Sequence, residues 1–440
     1  MLVKVVGEYM KKKLVIYLFL VSFLLVSCKK SEKEVVVDGN NDMITDTSAD
    51  TLKDMIVAKS TDEPIRVCVN EFYKNSMMDV VDVWEDMNPG VKIELIVIPQ
   101  DEEKAKLMMP ELKTQIMAGK GPDVFFLMTS DPRYETEYPV LFSDPSKEMS
   151  AGIFLPLDDY IERAQYIDMS KYNEVIMNAG KLSDTQYILP YTYDFLLVVY
   201  DLAEQVNHES PLILKNTLSG YYSQRLFGDI VDYKNDELMI TQDDIINASE
   251  YFQETLNQLE QEIGNYIDSP VILETMSDYI FEDLRKIPGN NPTQKDYMFW
   301  TMPNVNSGIT ADIAIYTAVS RYTKQPENAF AFIDFLYRDE AIPPKEGYIG
   351  DIKAPPILMN ITDGVSVNQR IFKERLSYIS EQDKQELFQI QDEINCARFY
   401  TDIDRVLNSS LEQIINSEDK ATREEVAKTL YDYLWMKSAE

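Results

Sequence analysis

The sequence predicts an α/β protein, and three features of its first half support this class. Residues 65–69, 91–98 and 124–127 are short runs of apolar and β-branched residues, the composition expected of strands. Between the first two runs, apolar residues from Met77 to Met87 recur three and four positions apart, which is the spacing of a helix. The order strand, helix, strand, helix, strand favours a parallel sheet with helices on both faces.

Turn residues separate these elements. Asn88-Pro89-Gly90 ends the first helix, because proline does not continue a helix and glycine tolerates a tight turn. The second helical stretch is predicted to be split at Pro110 and to end at Gly119. Gly121-Pro122 then turns the chain into the third strand.

The remainder of the chain is predicted to be mainly helical. Two capping boxes, at 241–244 and 422–425, each precede an apolar-periodic run, as expected at helix N-termini. The clearest helices are 245–267, 326–337, 381–399 and 422–434. Strand-like runs recur at 187–189, 195–200, 297–302 and 313–319.

The length and charge of the chain exclude several classes of function. A chain of 440 residues, of which 45% are hydrophobic, is long enough for two or three domains with cores of their own. Its 75 acidic and 42 basic residues give a formal net charge of −33. Nucleic acid would be repelled, and a basic patch for anionic lipid is not expected. We therefore expect no nucleic-acid partner.

The scarcity of histidine and cysteine argues against most catalytic chemistry. His208 is the single histidine and lies in a polar stretch, so we expect it at the surface rather than in a catalytic triad. Of the three cysteines, Cys68 and Cys396 lie in apolar-patterned segments and are expected to be buried thiols. The sequence does not decide whether these two cysteines form a disulfide. The sequence predicts no cofactor and no His/Cys metal site, and leaves a calcium ion held by carboxylates open.

The N-terminus carries an export signal. Three lysines at 11–13 precede the uncharged run 14–26. That run is too short to span a bilayer as a helix, which needs about 20 residues. It has the length of the apolar core of a signal peptide. It leads into Leu25-Val26-Ser27-Cys28, which resembles the bacterial lipobox, whose cysteine becomes the lipidated first residue after cleavage.

This signal defines the first segments of the chain. We expect a signal peptide at 1–27, followed at 28–63 by the lipidated Cys28 and a disordered, polar tether. A thioether-linked diacylglycerol has two acyl chains, enough for stable anchoring. The fold is therefore expected on the extracellular or periplasmic face of the cell membrane. The sequence allows translation to start at either Met1 or Met10.

Polar and aromatic residues at strand ends mark a candidate ligand site. Ser130, Asp131 and Arg133 lie just past the third strand. In open α/β sheets, ligands bind at the carboxyl ends of the strands. Tyr193 and Trp300 lie at the ends of later strands, without the helical periodicity that would place them in a core. Aromatic faces stack on sugar rings, while charged side chains bond sugar hydroxyls.

The order of five segments resembles the family 1 extracellular solute-binding proteins, the lipoproteins that serve sugar-type ABC importers. The segments are the turn 117–124 (Met-Ala-Gly-Lys-Gly-Pro-Asp-Val), 152–160, 186–191, the helix 326–336 and the C-terminal 423–430. The resemblance extends from Ile65 to the C-terminus, which is most of the chain after the tether.

The resemblance implies a two-lobe, periplasmic-binding-protein-like fold of type II. Each lobe is expected to hold a mainly parallel sheet with flanking helices, and the ligand cleft is expected between the lobes. The expected first lobe comprises 64–190 and 310–360, and the second comprises 195–305 and 365–440. The chain is expected to cross between the lobes near 191–194, 304–310 and 360–367.

The resemblance also implies ligand contacts on the loops that face the cleft. At those positions this sequence has Tyr73, Ser130, Asp131, Arg133, Tyr193, Asp194, Trp300 and Asp312. The expected partners are a small solute, the permease subunits of an ABC importer, and the membrane through the lipid anchor only. The leading candidate for the solute is a sugar or oligosaccharide. We expect a monomer that is not an enzyme and whose lobes close on the ligand.

Two other functions stay open from the sequence. A surface glycoside hydrolase needs two carboxyl groups about 5–10 Å apart, and carboxylates are abundant here. A lipid-anchored interaction protein would need no cleft deep enough to bury a solute. The solute class is open as well, because residues 354–358 (Ala-Pro-Pro-Ile-Leu) stand where the family often has a glycine-rich stretch with tryptophan. Related folds carry peptides and polyamines.

Overall fold

The computed structural model describes residues 55–130, 139–201, 218–220, 222–263, 271–275, 297–339, 364–376 and 379–438. All of them belong to one structural unit, Asp54–Glu440. The predicted signal peptide, Cys28 and most of the tether lie outside the described residues, as do Asp131, Arg133 and His208. No helix in the described ranges is long and apolar enough to cross a membrane.

The strands of the described residues are mostly short and apolar. They are β1 (Ile65–Asn70), β2 (Ile93–Ile98), β3 (Val124–Met128), β4 (Lys181–Leu182), β5 (Thr185–Gln186), β6 (Ile188–Asp194), β7 (Leu196–Asp201), β8 (Val231–Asp232), β9 (Glu237–Leu238), β10 (Val271–Thr275), β11 (Tyr297–Trp300), β12 (Ile309–Val319), β13 (Val365–Ser366) and β14 (Ile394–Arg398). The first three match the predicted strands within two residues at each end.

Helices cover the sheets and fill the C-terminal part. They are α1 (Lys74–Met87), α2 (Glu102–Met117), α3 (Pro145–Ser150), α4 (Asp158–Ile161), α5 (Glu174–Asn178), α6 (Gln242–Ile263), α7 (Pro326–Leu336), α8 (Gln369–Arg375), α9 (Glu381–Asp392), α10 (Asp402–Asn416) and α11 (Lys420–Ser438). Single 3₁₀ turns lie at Glu71–Tyr73, Met169–Lys171 and Ser223–Leu226.

The first lobe is built on a mixed sheet of order β13-β6-β12-β3-β1-β2, and β14 pairs with the first half of β12. β1 lies parallel to β2 and to β3, as the order of strands and helices predicts. β12 runs antiparallel to β3 and β6. Every residue of β3 and β6 is buried, as expected for a sheet covered on both faces. The predicted α/β class is confirmed.

The second lobe is built on a three-stranded sheet of order β10-β7-β11. β7 pairs antiparallel with both neighbours, whereas the sequence predicts a mainly parallel sheet in each lobe. β7 leads away from the first lobe, directly after β6. β11 leads back to β12, and a returning strand beside β7 has to run in the opposite direction.

Two clusters of buried side chains form the cores. The larger cluster covers the first sheet, and the smaller one draws on α6, α10 and α11. β7 separates the two, because successive side chains of a strand point to opposite faces. Leu196 and Val198 belong to the smaller cluster, whereas Leu197 and Val199 belong to the larger one.

The chain passes between the lobes at three places within the described ranges. These are Phe195 between β6 and β7, residues 301–308 between β11 and β12, and residues 399–401 between β14 and α10. The crossings expected from the sequence are 191–194, 304–310 and 360–367. Within the last of these, β13 pairs with β6 of the first sheet.

Residues 365–399, expected in the second lobe, contribute to both lobes. β13 and β14 extend the first sheet by pairing with β6 and β12. α9 packs instead on β11 of the second sheet. The helix predicted over 381–399 therefore ends early, because residues 394–398 find backbone hydrogen-bond partners in β12, which is distant in sequence.

Helix α2 continues through Pro110, where the sequence predicts a split. The side chain of Asp101 caps its N-terminus by accepting the backbone N–H of Lys104 at 2.9 Å. Glu102 and Glu103 in the first turn favour the helix through its dipole. A proline removes one backbone hydrogen bond, but Pro110 lies on the exposed face, where water reaches the freed carbonyl.

Asp334 joins helix α7 to the loop that follows α4. It is buried, and its carboxylate accepts the backbone N–H groups of Gln165, Tyr166 and Ile167 at 2.7, 3.0 and 2.8 Å. Tyr166 also packs edge-on against Phe335. The Asp334 carboxylate thus satisfies three backbone donors of this loop and holds the loop to α7.

Replacing Asp334 by alanine should lower the free energy of unfolding by about 3 kcal/mol, because three N–H groups lose their acceptor. Urea denaturation followed by circular dichroism measures the change. Glu327→Gln is the matched control, since Glu327 lies on the same helix and pairs with Lys59 and Arg163 at the surface. It should change stability by less than about 1 kcal/mol. Equal losses in both variants would contradict the role of Asp334.

Candidate functional site

The carboxyl ends of β3 and β6 meet at the first half of β12. Thr129 follows β3, and its hydroxyl donates to the carbonyl of Ile313 at 2.5 Å. The next residue, Ser130, is half-buried. Asp194 ends β6 and lies opposite Asp312 in the strand register. The structure thus brings Ser130, Asp194 and Asp312, three of the expected ligand contacts, to one end of the sheet.

A buried arginine from the second lobe joins the two aspartates. Arg225 lies in the 3₁₀ turn Ser223–Leu226, and its Nε donates to Oδ2 of Asp312 at 2.7 Å. Its Nη2 donates to Oδ1 of Asp194. Only 3% of the Arg225 side chain is exposed, against 9% for Asp194 and 7% for Asp312. Charges this deep are tolerated only where they are paired and hydrogen-bonded. We call these three residues the Arg225 cluster.

The cluster keeps its arginine charged. Burial by itself would lower the pKa of Arg225, but the attraction of Asp312 and Asp194 outweighs it and the pKa is raised. The guanidinium carbon also lies 5.4 Å from the centre of the Tyr222 ring, within the range of a cation–π contact. The Arg225 cluster is therefore a permanent polar centre where the lobes meet.

Two atoms of the cluster lack a hydrogen-bond partner within the part of the chain that the structure describes. They are Nη1 of Arg225, a donor, and Oδ1 of Asp312, an acceptor. Buried polar groups are nearly always paired, so each exception in a folded protein needs an explanation. Here both exceptions belong to one ion pair.

A second buried ion pair lies one strand away. Arg398 ends β14 opposite Asp312 and donates to Asp404. It also donates, at 2.9 Å, to the carbonyl of Gln224, the neighbour of Arg225. Burial raises the pKa of Asp404 above its ordinary value, although the charge of Arg398 opposes this. One polar network thus connects β12, β14, the 3₁₀ turn of Arg225 and the start of α10.

A cavity of about 630 Å³ borders the second ion pair. Its walls come from α3, α5 and β4 of the first lobe, from the hairpin β8–β9 of the second, and from β14. Beside it the lobes touch directly: the hydroxyl of Tyr233 donates to Oδ2 of Asp144 at 2.6 Å, and the hydroxyl of Ser150 donates to the carbonyl of Tyr233 at 3.0 Å. The volume lies within the range of small-molecule sites, about 300–1,000 Å³.

The expected aromatic contacts differ in exposure. Tyr73 is fully buried and packs edge-on against Phe126, with 5.8 Å between the ring centroids. Tyr193 is also fully buried, and its hydroxyl accepts from Nε2 of Gln391 at 2.6 Å. Trp300 is half-buried and packs against the smaller core cluster. In this conformation only Trp300, among these three, offers surface to a ligand.

The sequence analysis does not identify two residues near these strand ends, Phe72 and Arg225. Phe72 is 39% exposed at the carboxyl end of β1, where its neighbour Tyr73 is buried. An aromatic pair directly after a strand does not show which ring turns outward. Arg225 carries one weak signal, a lone charge between Tyr222 and Leu226 in an apolar stretch. That signal indicates a buried ion pair but not its partners.

The two described cysteines are free and poorly reactive. Burial raises the pKa of the Cys68 thiol well above its ordinary value. Burial and the nearby Asp229 raise the pKa of Cys396 to about 12. Because the thiolate is the reactive form, neither is suited to nucleophilic chemistry at neutral pH. Within the described ranges, no three His, Cys, Asp or Glu side chains are grouped as a metal site would require.

Comparison with known proteins adds a family and a set of similar structures. Residues 73–343, more than half of the chain, match the family model of the bacterial extracellular solute-binding proteins. No curated protein sequence matches the chain. A family 1 extracellular solute-binding protein from Alicyclobacillus acidocaldarius is similar in structure, with a TM-score of 0.52 and 12% identity over 87% of this chain and 100% of that one.

Two further solved structures share the fold. One is an ABC substrate-binding protein from Listeria monocytogenes in complex with cycloalternan, with a TM-score of 0.52 and 15% identity over 86% of this chain and 99% of that one. The other is the galacto-N-biose/lacto-N-biose I-binding protein of an ABC transporter from Bifidobacterium longum, with a TM-score of 0.51 and 13% identity over 86% of this chain and 98% of that one.

The family match and the geometry agree. The matched residues begin at the carboxyl end of β1 and extend beyond α7, so they include the first two crossings and the whole Arg225 cluster. The resemblance inferred from five sequence segments is confirmed, and so is the two-lobe fold. This chain belongs to the bacterial extracellular solute-binding proteins.

Proposed function

We propose that this protein captures a small solute between its lobes and delivers it to an ABC importer. The leading candidate for the solute is a sugar or oligosaccharide. The observation that carries the proposal is the Arg225 cluster, which joins the second lobe to the carboxyl end of β6, beside the end of β3. Ligands of α/β sheets bind at such ends. A solute at this place would contact both lobes at once.

The proposed contacts would come from both lobes. Ser130 and Phe72 would face the solute from the first lobe, and Trp300 would supply an aromatic face from the second. Tyr73 and Tyr193 are buried here and would reach a solute only after a rearrangement of the lobes. Asp131 and Arg133 would supply charged groups for the solute hydroxyls. Asp194 and Asp312 are buried, so they would do so only after the same rearrangement.

Closure of the lobes would follow from contacts on both sides of the cleft. A ligand shifts a protein toward its closed form only by the difference in its affinity for the two forms. The crossings at Phe195 and at 301–308 are short, so rotation there would move the lobes as rigid bodies. No bond is made or broken in this cycle, and no nucleophile is needed.

A sugar is the proposed solute because of the chemistry available at the site. Carboxylates and a guanidinium bond hydroxyl groups, and exposed aromatic rings stack on the C–H faces of sugar rings. The similar Listeria and Bifidobacterium proteins are described in complex with cycloalternan and lacto-N-biose, which are saccharides. Both are starting points for a ligand screen.

The proposed location is the outer face of the cell membrane. Lipidated Cys28 would hold the protein there through the tether, as a monomer, within reach of the importer's permease subunits. A formal net charge of −33 would oppose adhesion to an anionic bilayer. Attachment would therefore depend on the lipid.

The alternatives have less support. A glycoside hydrolase needs a carboxyl pair free to donate and accept protons, whereas Asp194 and Asp312 both accept from Arg225. The cavity of about 630 Å³ borders the second ion pair and is lined by none of the proposed solute contacts, so it does not bear on an interaction protein without a small ligand.

A thermal-shift screen tests the binding function. Neutral di-, tri- and oligosaccharides, including lacto-N-biose and cycloalternan, should contain at least one that raises the melting temperature by several degrees. Binding to the native state stabilises it by about 2.7 kcal/mol at a hundredfold excess over Kd. Mass spectrometry after long incubation should recover that saccharide intact. Cleaved sugar would favour the hydrolase, and no stabilisation by any saccharide would contradict the proposed sugar class.

Trp300→Ala tests the aromatic contact. It should weaken binding of the saccharide found in the screen by about 1–3 kcal/mol, because a stacking face is lost. Trp84→Ala is the matched control, since Trp84 is buried and packs edge-on against Phe332 and Phe335. It should lower stability by about 3–5 kcal/mol and leave the affinity of the folded fraction unchanged. Titration calorimetry that shows unaltered affinity for the Trp300 variant would assign this ring to the core.

Cys28→Ala tests the anchor. The variant cannot carry the lipid, so it should appear in the medium or periplasm instead of the membrane fraction. Fractionation with a carbonate wash measures this. Ser31→Ala, three residues along the tether, is the control and should stay membrane-bound. A Cys28 variant that remains in the washed membrane pellet would rule out lipid anchoring at this residue.

A further inference from the structure

We infer that Asn70, the last residue of β1, is a positioning residue for solute binding. Its side chain holds the end of β1 to the end of β3, and so fixes the spacing between Phe72 and Ser130, two proposed contacts of the first lobe. This inference rests on the proposed function and adds to it a residue that does not itself touch the solute, because Asn70 is only 4% exposed.

The side chain of Asn70 continues the contact between β1 and β3 where their backbones part. The two strands pair in parallel up to Val69 and Phe126. Beyond this pair the chain of β1 enters the 3₁₀ turn Glu71–Tyr73, whereas β3 extends to Met128. Oδ1 of Asn70 accepts the backbone N–H of Met128 at 3.1 Å, where a paired strand would offer a backbone carbonyl. One amide therefore joins the carboxyl ends of the two strands.

The nitrogen of the same amide holds a second segment. Nδ2 of Asn70 donates to the carbonyl of Pro139 at 3.1 Å. Pro139 is the first residue that the structure describes after Ser130, and it leads toward α3. An amide keeps its oxygen and its nitrogen in one plane, so the two bonds together fix its orientation. Asn70 therefore ties the end of β1 both to β3 and to the chain that leads to α3.

The end of β3 has another support, which comes from β12. The hydroxyl and the backbone N–H of Thr129 donate to two carbonyls of β12, at 2.5 and 2.9 Å. β12 lies on the side of β3 that faces away from β1. If Asn70 were lost, Ser130 would still be held near β12, whereas the turn that carries Phe72 would lose this side-chain bond to β3. The spacing of the two contacts thus depends on Asn70.

Loss of the amide would act on affinity through this spacing. A site whose contacts are held in place before the solute arrives loses less conformational freedom on binding. Leucine has the branched shape of asparagine but neither of its polar atoms, so Asn70→Leu removes both bonds. The N–H of Met128 and the carbonyl of Pro139 would each lose a partner.

Calorimetric titration of Asn70→Leu with the saccharide found in the thermal-shift screen tests the inference. The variant should bind that saccharide at least about fivefold more weakly than the wild type, because its first-lobe contacts are no longer held in one arrangement. Asn328→Leu is the matched control. Asn328 is also buried, and its amide makes the same two kinds of bond: it accepts the N–H of Lys59 at 2.8 Å and donates to the carbonyl of Lys59 at 2.9 Å.

The control residue lies at the other end of the sheet. It belongs to the first turn of α7, directly after Gln325, whose side chain donates at 3.0 Å to the carbonyl of Pro64, just before β1 begins. Both leucine variants should melt at a lower temperature, since each leaves an N–H and a carbonyl without a partner. Only Asn70→Leu should lose affinity, measured at a temperature where both variants are folded. If leucine prevents folding, Asn70→Ser and Asn328→Ser, which shorten the side chain without adding apolar atoms, decide in the same way.

A double-mutant cycle with Phe72→Ala tests the route of the effect. Removing the Phe72 ring takes away the contact that Asn70 is inferred to position. In the Phe72→Ala background, Asn70→Leu should therefore weaken saccharide binding by less than about twofold. An undiminished loss in that background would overturn the inference.

The outcomes separate this inference from the proposed function. Unaltered saccharide affinity in the folded Asn70 variants, or an equal loss in the Asn328 variants, would overturn the inference and leave saccharide capture in place. Absence of saccharide binding by the wild-type protein would overturn the proposed sugar class, and the inference with it.

Discussion

A buried guanidinium joins the two lobes where their strands cross. Arg225 reaches from the second lobe to Asp194, the last residue of β6, and to Asp312 of β12. β6 and β12 are also the strands that carry the chain out of and back into the first lobe. Removing one partner of a buried charge pair typically costs about 3–5 kcal/mol, because the other charge is left uncompensated. The cluster therefore ties the end of β6 and the first half of β12 to the turn that carries Arg225.

Around this cluster, apolar cores and polar contacts between the lobes have different places in the molecule. The larger cluster of buried side chains covers the first sheet and also includes one face of β7, and the smaller cluster lies on the other face of β7. Ion pairs and hydrogen bonds also join the lobes, such as the pair Arg398 and Asp404 and the bond from Tyr233 to Asp144. Breaking a polar contact in water costs less free energy than exposing an apolar contact, because water replaces the lost hydrogen-bond partner. Such a boundary suits a protein whose lobes separate and rejoin.

Local patterns in the sequence predict the elements whose packing is local. β1, β2 and β3 appear as apolar runs, α6 appears through its spacing and its capping box, and α7 appears through its spacing. The order of these elements predicts the α/β class, and the order of five motifs predicts the family. Ser130 could be placed at a strand end because the end of β3 is visible in the sequence, whereas Asp194 and Asp312 came from the positions that the family resemblance implies.

Contacts between distant segments could not be predicted in the same way. β14 appears helical in isolation and becomes a strand because β12 supplies its backbone partners. Pro110 indicates a break, yet α2 continues because its exposed face tolerates the missing hydrogen bond. Arg225 finds its carboxylates through the crossing of two strands, a geometry that no local pattern encodes. Tyr73, expected to contact the ligand, is buried, while its neighbour Phe72 is exposed, because one backbone turn decides which ring is buried.

The central claim is that a solute held at the crossing draws the two lobes together. The most direct measurement is the distance between spin labels at Leu107→Cys on α2 and Glu250→Cys on α6, both exposed, by pulsed electron paramagnetic resonance. Cys28→Ala and Cys396→Ser would remove the other accessible thiols, and Cys68 is fully buried. We predict a single, shorter and narrower distance distribution at saturating saccharide. An unchanged distribution at saturation would contradict lobe closure.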